Sequence, residues 1–314
     1  MKIAIFDHLG VHKTTKEIEK WFASNGHEVK WNMYYDMREE KDYIGWCDVA
    51  LFEWFEGALE RCLKDGWGKK KPVFVRAMDI EVWANNANGA DLSDLTGLAY
   101  TSTAIFDVLK ENHDLSKYPN LRTAHIPLSV DMNDWKFSDT HTSGYNIGVL
   151  GHMWDSKGPN FIPQFARYLI DKTGTDKWKF YVQGNWRHDV WRWYLYYFKH
   201  IVKELGLEDN IILNEERVGD INSWYDKMNY LVTFSMKDAF SIPVAEAMAK
   251  GIKALPHNFP GSKDIWGEYV WSTFDELFDK LINQAYEPQK YHDFVKNNYS
   301  NEVIMQKWIQ FLKV

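Results

Sequence analysis

Asp238-Ala-Phe-Ser-Ile-Pro-Val-Ala-Glu246, continuing into Ala-Met-Ala-Lys-Gly251, sets two carboxylates eight residues apart across a junction from loop to helix. Upstream, Tyr230-Leu-Val-Thr-Phe234 is apolar, aromatic and β-branched, which predicts a buried strand. Downstream, Ala245-Glu-Ala-Met-Ala-Lys250 consists of strong helix formers, with Gly251 as a stop. Ser241 occupies a favourable N-cap position and Pro243 lies close to the first helical position. The helix therefore begins inside the stretch, so its unpaired N–H groups and positive dipole end face the loop. Such a start can hold a phosphate. Asp238 and Glu246 would then accept hydrogen bonds from hydroxyls on either side of it. A phosphate flanked by two diols describes a nucleotide sugar.

This stretch resembles the acidic–x7–acidic signature of retaining GT-B glycosyltransferases of the family-4 type. The family pattern runs Glu-Gly-Phe-Gly, three residues, then Glu-Ala-Met-Ala-x-Gly. Asp238, Ala239, Phe240 and Ser241 stand for its first four positions, and Glu246 to Gly251 match the rest. The first acid is thus Asp, and small residues replace both loop glycines. The resemblance implies an α/β chain of GT-B type, with two doubly wound, Rossmann-like domains facing a cleft.

The order of segments along the chain agrees. Lys2–Phe6, Glu28–Trp31, Val49–Phe52, Pro72–Val75 and Leu98–Thr101 are predicted strands, with a helix at Thr14–Asn25 closed by Gly26. That alternation marks a parallel sheet with helices on both faces. Asn25-Gly-His-Glu-Val29 and His125-Ile-Pro-Leu-Ser-Val-Asp131 resemble two further family segments. After the polar linker Ser138-Asp-Thr-His-Thr-Ser-Gly144, a second series begins. It has strands at Asn146–Leu150, Trp178–Val182 and Ile211–Leu213, and helices at Asn160–Asp171, Asp189–Leu205 and Ser223–Lys227. The expected domains are 1–140 on the acceptor side, 145–300 for the nucleotide sugar, and a terminal helix at 301–314. In this family such a helix often packs back on the first domain.

The resemblance also assigns roles. Glu246 would hold the ribose diol and Asp238 the sugar hydroxyls. Lys157 and the helix start at Ala239, Phe240, Ser241 and Ile242 would meet the phosphates. Gly151-His-Met-Trp-Asp-Ser-Lys157-Gly158 is similar to the family's Gly-Arg-Leu…Lys-Gly segment, with His152 where Arg is usual. A lysine at the positive end of a helix is unfavourable unless an anion is present, which favours a functional Lys157. Gly184 matches a family glycine at a strand end. Glu216 and Arg217 fall in the loop that meets the base, and Gly10 in the first β-to-α loop. Asp79 stands near the donor sugar or acceptor. Asp7, His8 and His12 would border the cleft and read as plain loop residues.

Among 314 residues, 37 Lys+Arg against 44 Asp+Glu give a net charge of −7, with the acidity concentrated in the first 140. That argues against binding nucleic acid by charge alone. Cys47 and Cys62 have neither disulfide-framework nor metal-ligand spacing. No apolar run approaches the ~18 residues of a membrane span, so a cytoplasmic protein is expected. The aromatic content is 16%, with 16 Trp, and much of it falls on Asp189–Leu205. That helix would be buried, or would meet a membrane surface, a partner subunit or a polymer acceptor. The absence of Asp-x-Asp fits a GT-B enzyme, whose cations usually come from side chains and helix ends. The absence of a His/Cys cluster, of a phosphate-binding Gly-x-x-x-x-Gly-Lys loop and of a complete Gly-x-Gly-x-x-Gly makes kinases, P-loop NTPases and nicotinamide dehydrogenases poor competitors.

The expected activity is therefore retaining, metal-independent transfer from a nucleotide-diphosphate sugar, with no cofactor. The acceptor is open: a saccharide, a lipid-linked saccharide, a protein, a small molecule or modified DNA. The alternatives are a GT-B nucleotide-sugar enzyme such as an epimerase, and a catalytically silent sugar- or partner-binding module.

Overall fold

The computed structural model describes residues 1–7, 12–33, 37–87, 89–186, 188–216 and 218–313. The chain divides into two compact units, Met1–Asp131 with Tyr299–Val314, and Met132–Asn298.

The first unit is built on six strands: β1 (Lys2–Asp7), β2 (Glu28–Met33), β3 (Val49–Glu53), β4 (Val73–Ala77), β5 (Gly97–Tyr100) and β6 (Arg122–His125). They run parallel in the order β2-β1-β3-β4-β5-β6. β1, β3 and β4 are buried almost throughout, as continuous apolar runs require when helices cover both faces. Phe6, Phe52, Val73, Val75 and Leu98 form the centre of that core. The helix Asn301–Leu312 completes this unit. Its Trp308 is fully buried with its ring 5.3 Å from the Arg76 guanidinium, and Phe311 packs edge-on against Phe74. Asn301 donates to Glu17 at 2.8 Å.

The second unit carries β7 (Asn146–Leu150), β8 (Lys179–Gln183), β9 (Ile211–Asn214), β10 (Tyr230–Val232) and β11 (Lys253–Leu255). All are parallel, in the order β11-β10-β7-β8-β9. Counted from its own first strand this order is 3-2-1-4-5, the Rossmann sequence, whereas the first unit follows the flavodoxin-like order. Ile147, Val149, Phe165, Phe180, Val182 and Phe234 lie at its core.

The division falls at Asp131 rather than at 140. Residues 132–140 lie against the second unit: Trp135 meets the Tyr225 ring edge-on at 5.5 Å, and the Ser138 N–H donates to the Lys250 carbonyl at 3.1 Å. The aromatic helix, His188–Glu204, divides its rings. Tyr194 and Phe198 are buried, while Trp193, Tyr196 and Tyr197 are 60%, 78% and 40% exposed. Among the described residues no helix is long and apolar enough to cross a membrane.

Candidate functional site

In the second sheet the chain moves from β7 outward to β8 and β9, then returns to lay β10 and β11 on the other side. The connections after β7 and β10 thus diverge, and a crevice opens beyond the carboxyl ends of these two strands, the usual ligand position in such sheets. Two loops line it, one following Leu150 and one following Val232. The Met236 and Lys237 N–H groups both donate to the Ser156 carbonyl, at 2.8 and 3.3 Å, which ties the loops together. Gly158 makes the approach possible. Its φ is 58°, and a β-carbon there would lie 2.3 Å from the Phe234 carbonyl oxygen. The result is an ion pair: Lys157 Nζ stands 2.7 Å from Asp238 Oδ2, with the side chains 27% and 16% exposed.

The other oxygen of Asp238 serves the helix Ile242–Ala249, accepting the Ser241 N–H at 3.2 Å and the Phe240 N–H at 3.5 Å. Ser241 holds the N-cap position, but its hydroxyl makes no capping bond, contrary to the expectation from sequence. Asp238, three residues upstream, satisfies the backbone donors instead. Ser241 adopts φ 72° and ψ 72°, the left-handed conformation that costs a non-glycine residue about 1–2 kcal/mol, and it stands where the family pattern has Gly. Ser241→Gly is therefore expected to stabilise the protein by about 0.5–1 kcal/mol, after subtracting the entropy that glycine gains in the unfolded chain. Denaturant unfolding checks this, and a lower midpoint for the variant would show that the hydroxyl contributes something the geometry does not reveal.

Phe240 itself is fully buried. Its ring lies 5.0 Å from that of Trp266, whose indole N–H donates to the Phe240 carbonyl at 2.8 Å. Its side chain is thus an anchor for the loop, and only its backbone faces the helix start. Glu246, one turn inside the helix, is 2% exposed, and its Oε2 accepts the Tyr225 hydroxyl at 2.8 Å. Burial first, and the Glu246 charge second, raise the Tyr225 pKa well above its ordinary value. The phenol is therefore a fixed donor. The imidazole of His257 supports the loop after β10, its Nδ1–H donating to the Ser235 carbonyl at 2.9 Å, and burial lowers its pKa.

At the neighbouring strand end, Gly184 and Gly151 touch backbone to backbone. A β-carbon on Gly184 would lie 1.7 Å from the Gly151 carbonyl oxygen. Gln183 fixes the loop after β9 by donating to the Glu216 carbonyl, and the Glu216 N–H donates to Asn214 Oδ1 at 3.1 Å. The Glu216 carboxylate points into solvent, so this residue is placed through its backbone. His152 is exposed, its ring 5.3 Å from that of Trp154. Gly10 and Arg217 lie outside the described residues, as do His8 and the side chain of His12.

Asp79 belongs to the first unit, at the N-cap of the short helix Ile80–Trp83 beyond β4, where its own N–H donates to Glu81 at 3.0 Å. The first sheet reverses its order between β1 and β3, and buried acids gather there. Asp7 accepts Thr15 at 2.5 Å and the Trp54 indole at 3.1 Å. Trp54 is held at φ 92°. Glu53 pairs with Arg76 at 2.9 Å, yet burial raises its pKa to about 7; burial does the same to Glu81.

Sequence reasoning missed Tyr225 and Gln183, and it matched Gly158 only as the glycine that follows Lys157, without its part in bringing the two loops together.

The two sheets, their strand orders and the two-loop crevice define a class, the two-domain Rossmann-like architecture of the GT-B transferases, and the chain has that fold. Solved structures agree. It superposes on HepE of Anabaena in complex with UDP and glucose with a TM-score of 0.75, at 13% identity, covering 100% of this chain and 99% of that one. A glycosyltransferase from Rickettsia africae gives 0.76 at 14% identity, covering 99% and 98%. Sucrose-phosphate synthase from Thermosynechococcus elongatus gives 0.71 at 13% identity, covering 100% and 98%. No protein-family model matches the sequence, and no curated protein matches it.

Proposed function

We propose that the protein is a retaining glycosyltransferase that moves a sugar from a nucleotide-diphosphate sugar to an acceptor hydroxyl, with no metal ion or other cofactor. The observation that carries this reading is the Lys157–Asp238 pair at the start of the helix bearing Glu246, at the switch point of a Rossmann-ordered sheet. An ammonium beside the positive end of a helix suits a diphosphate. When the bond from the anomeric carbon to the diphosphate breaks, negative charge grows on the departing phosphate. A cation already in place meets that charge without reorganisation. Lys157 thereby supplies what a divalent ion would otherwise supply. Asp238, released from the lysine by the phosphate, is free to accept from sugar hydroxyls, and Glu246 from the ribose. In this reading the loop bearing Glu216 meets the base through its backbone.

The complex of HepE with UDP and glucose makes UDP-glucose the first donor to try. The deciding experiment measures nucleotide release from UDP-, GDP- and ADP-sugars, with and without saccharide, lipid-linked saccharide, protein, small-molecule or modified-DNA acceptors. Release that needs an acceptor supports a transferase. Turnover without one makes the protein another nucleotide-sugar enzyme, such as an epimerase. Binding with no turnover makes it a silent binding module, a reading that Asp238 in place of Glu, the lost loop glycines and His152 in place of Arg favour.

Glu246→Gln should weaken nucleotide affinity by roughly 1.5–3 kcal/mol, the worth of a hydrogen bond to a charged group. Calorimetry that finds the folded variant binding as tightly as the parent removes Glu246 from the ribose role.

A further inference from the structure

Tyr225 ends the short helix Ile221–Tyr225, which Asp220 caps by accepting the Ser223 N–H at 3.2 Å. The residue is fully buried. Its hydroxyl lies 2.8 Å from Glu246 Oε2 and 3.3 Å from the Pro243 carbonyl. One hydroxyl proton serves one acceptor well, and both the shorter distance and the negative charge favour Glu246. On the other side, the Trp135 ring meets the tyrosine edge-on at 5.5 Å. Asn222 of the same helix donates to the Asp134 carbonyl at 3.3 Å and accepts from Lys250 at 3.0 Å. The phenol is therefore braced from behind and aimed at one carboxylate oxygen.

A buried carboxylate that turns freely would present its oxygens to a ribose diol in many orientations. A carboxylate whose Oε2 is engaged by a fixed phenol presents its acceptor sites in one orientation. We propose that Tyr225 is the positioning residue that orients Glu246 toward the ribose hydroxyls of the nucleotide, and that it thereby sets the preference for ribonucleotides over deoxyribonucleotides. This rests on the reading of Glu246 as the ribose-binding acid. Tyr225 acts through Glu246 and does not touch the nucleotide.

The test measures affinities of UDP, GDP and ADP, and of their 2′-deoxy and 3′-deoxy counterparts, for the parent, Tyr225→Phe and Glu246→Gln. Tyr225→Phe is expected to weaken the preferred ribonucleoside diphosphate about tenfold, and the deoxy form that lacks the recognised hydroxyl less than about twofold. Equal losses for the two sugars would reveal a purely structural tyrosine, and no loss for either would remove the role altogether. If Glu246→Gln abolishes the ribose preference while Tyr225→Phe preserves it, the proposal fails and the ribose role of Glu246 stands. If Glu246→Gln leaves the preference intact, both fall. Should Tyr225→Phe not fold, the double variant Tyr225→Phe/Glu246→Gln removes the buried charge as well. It should bind ribonucleotides as Glu246→Gln alone does, and a further loss in the double variant would overturn the proposal.

Discussion

Replacing Lys157 with Ala is expected to lower turnover by about two to three orders of magnitude, the usual effect of removing one group that stabilises transition-state charge. Stability should change little. The Lys157–Asp238 pair is partly open to solvent, and pairs of that kind contribute about 0–1 kcal/mol, which for a unit of this size corresponds to no more than about 4 °C in melting temperature. Asp238 also keeps the Ser241 N–H as a partner. Lys157→Arg should restore part of the activity, because a planar fork does not occupy the place of a point charge. Steady-state kinetics with each accepted donor, beside thermal unfolding of the same samples, separates chemistry from folding. Full turnover in a folded Lys157→Ala would remove the lysine from the phosphate role.

Gly184→Ala is expected to be the most damaging single-methyl change at the site. The added β-carbon would stand 1.7 Å from the Gly151 carbonyl oxygen, a backbone atom at the end of the paired strand β7. No side chain can rotate away to make room. Either β8 or the loop after β7 must move, and the Gly151 N–H bond to the Gln183 carbonyl moves with it. Overpacking typically costs about 1–3 kcal/mol, and a clash with fixed backbone belongs at the upper end, about 3 kcal/mol, which for a unit of this size lowers the melting temperature by roughly 6–12 °C. Gly174→Ala is a useful contrast, because its β-carbon meets nothing within 4 Å and only its left-handed φ of 65° is strained. A Gly184→Ala protein as stable as Gly174→Ala would mean that the two strand ends do not approach as described.

Where apolar periodicity was strong, the sequence was sufficient. β7 falls on its predicted residues, and nine of the strands were anticipated within two residues. β6 and β11 were not. Arg122-Thr-Ala-His125 has no apolar alternation, and Lys253-Ala-Leu255 is short and begins with a lysine. That lysine is buried because the carbonyls of Lys280, Gln284 and Ala285 receive its ammonium, a long-range arrangement that no local pattern announces. The site divides in the same way. The places of Asp238 and Glu246 on a loop and a helix start were legible because spacing is local information, and Lys157 stood out through the resemblance of its segment. The Asp238 cap, the Tyr225 contact and the buried ring of Phe240 depend on which elements pack together. Ser241 was misread because its residue type favours capping, whereas its left-handed backbone carries the hydroxyl elsewhere.

The terminal helix has a consequence for biosynthesis. The first unit is split, with the whole of Met132–Asn298 inserted between its two parts. During translation, residues 1–131 leave the ribosome long before Trp308 and Phe311 exist to cover Phe74 and Arg76. At about 5–20 residues per second, that delay lasts on the order of ten seconds or more. The second unit is continuous and can finish first, although its amino end emerges later. The nascent amino-terminal half must therefore wait with Phe74 and Arg76 uncovered, and that patch is where holding chaperones would act.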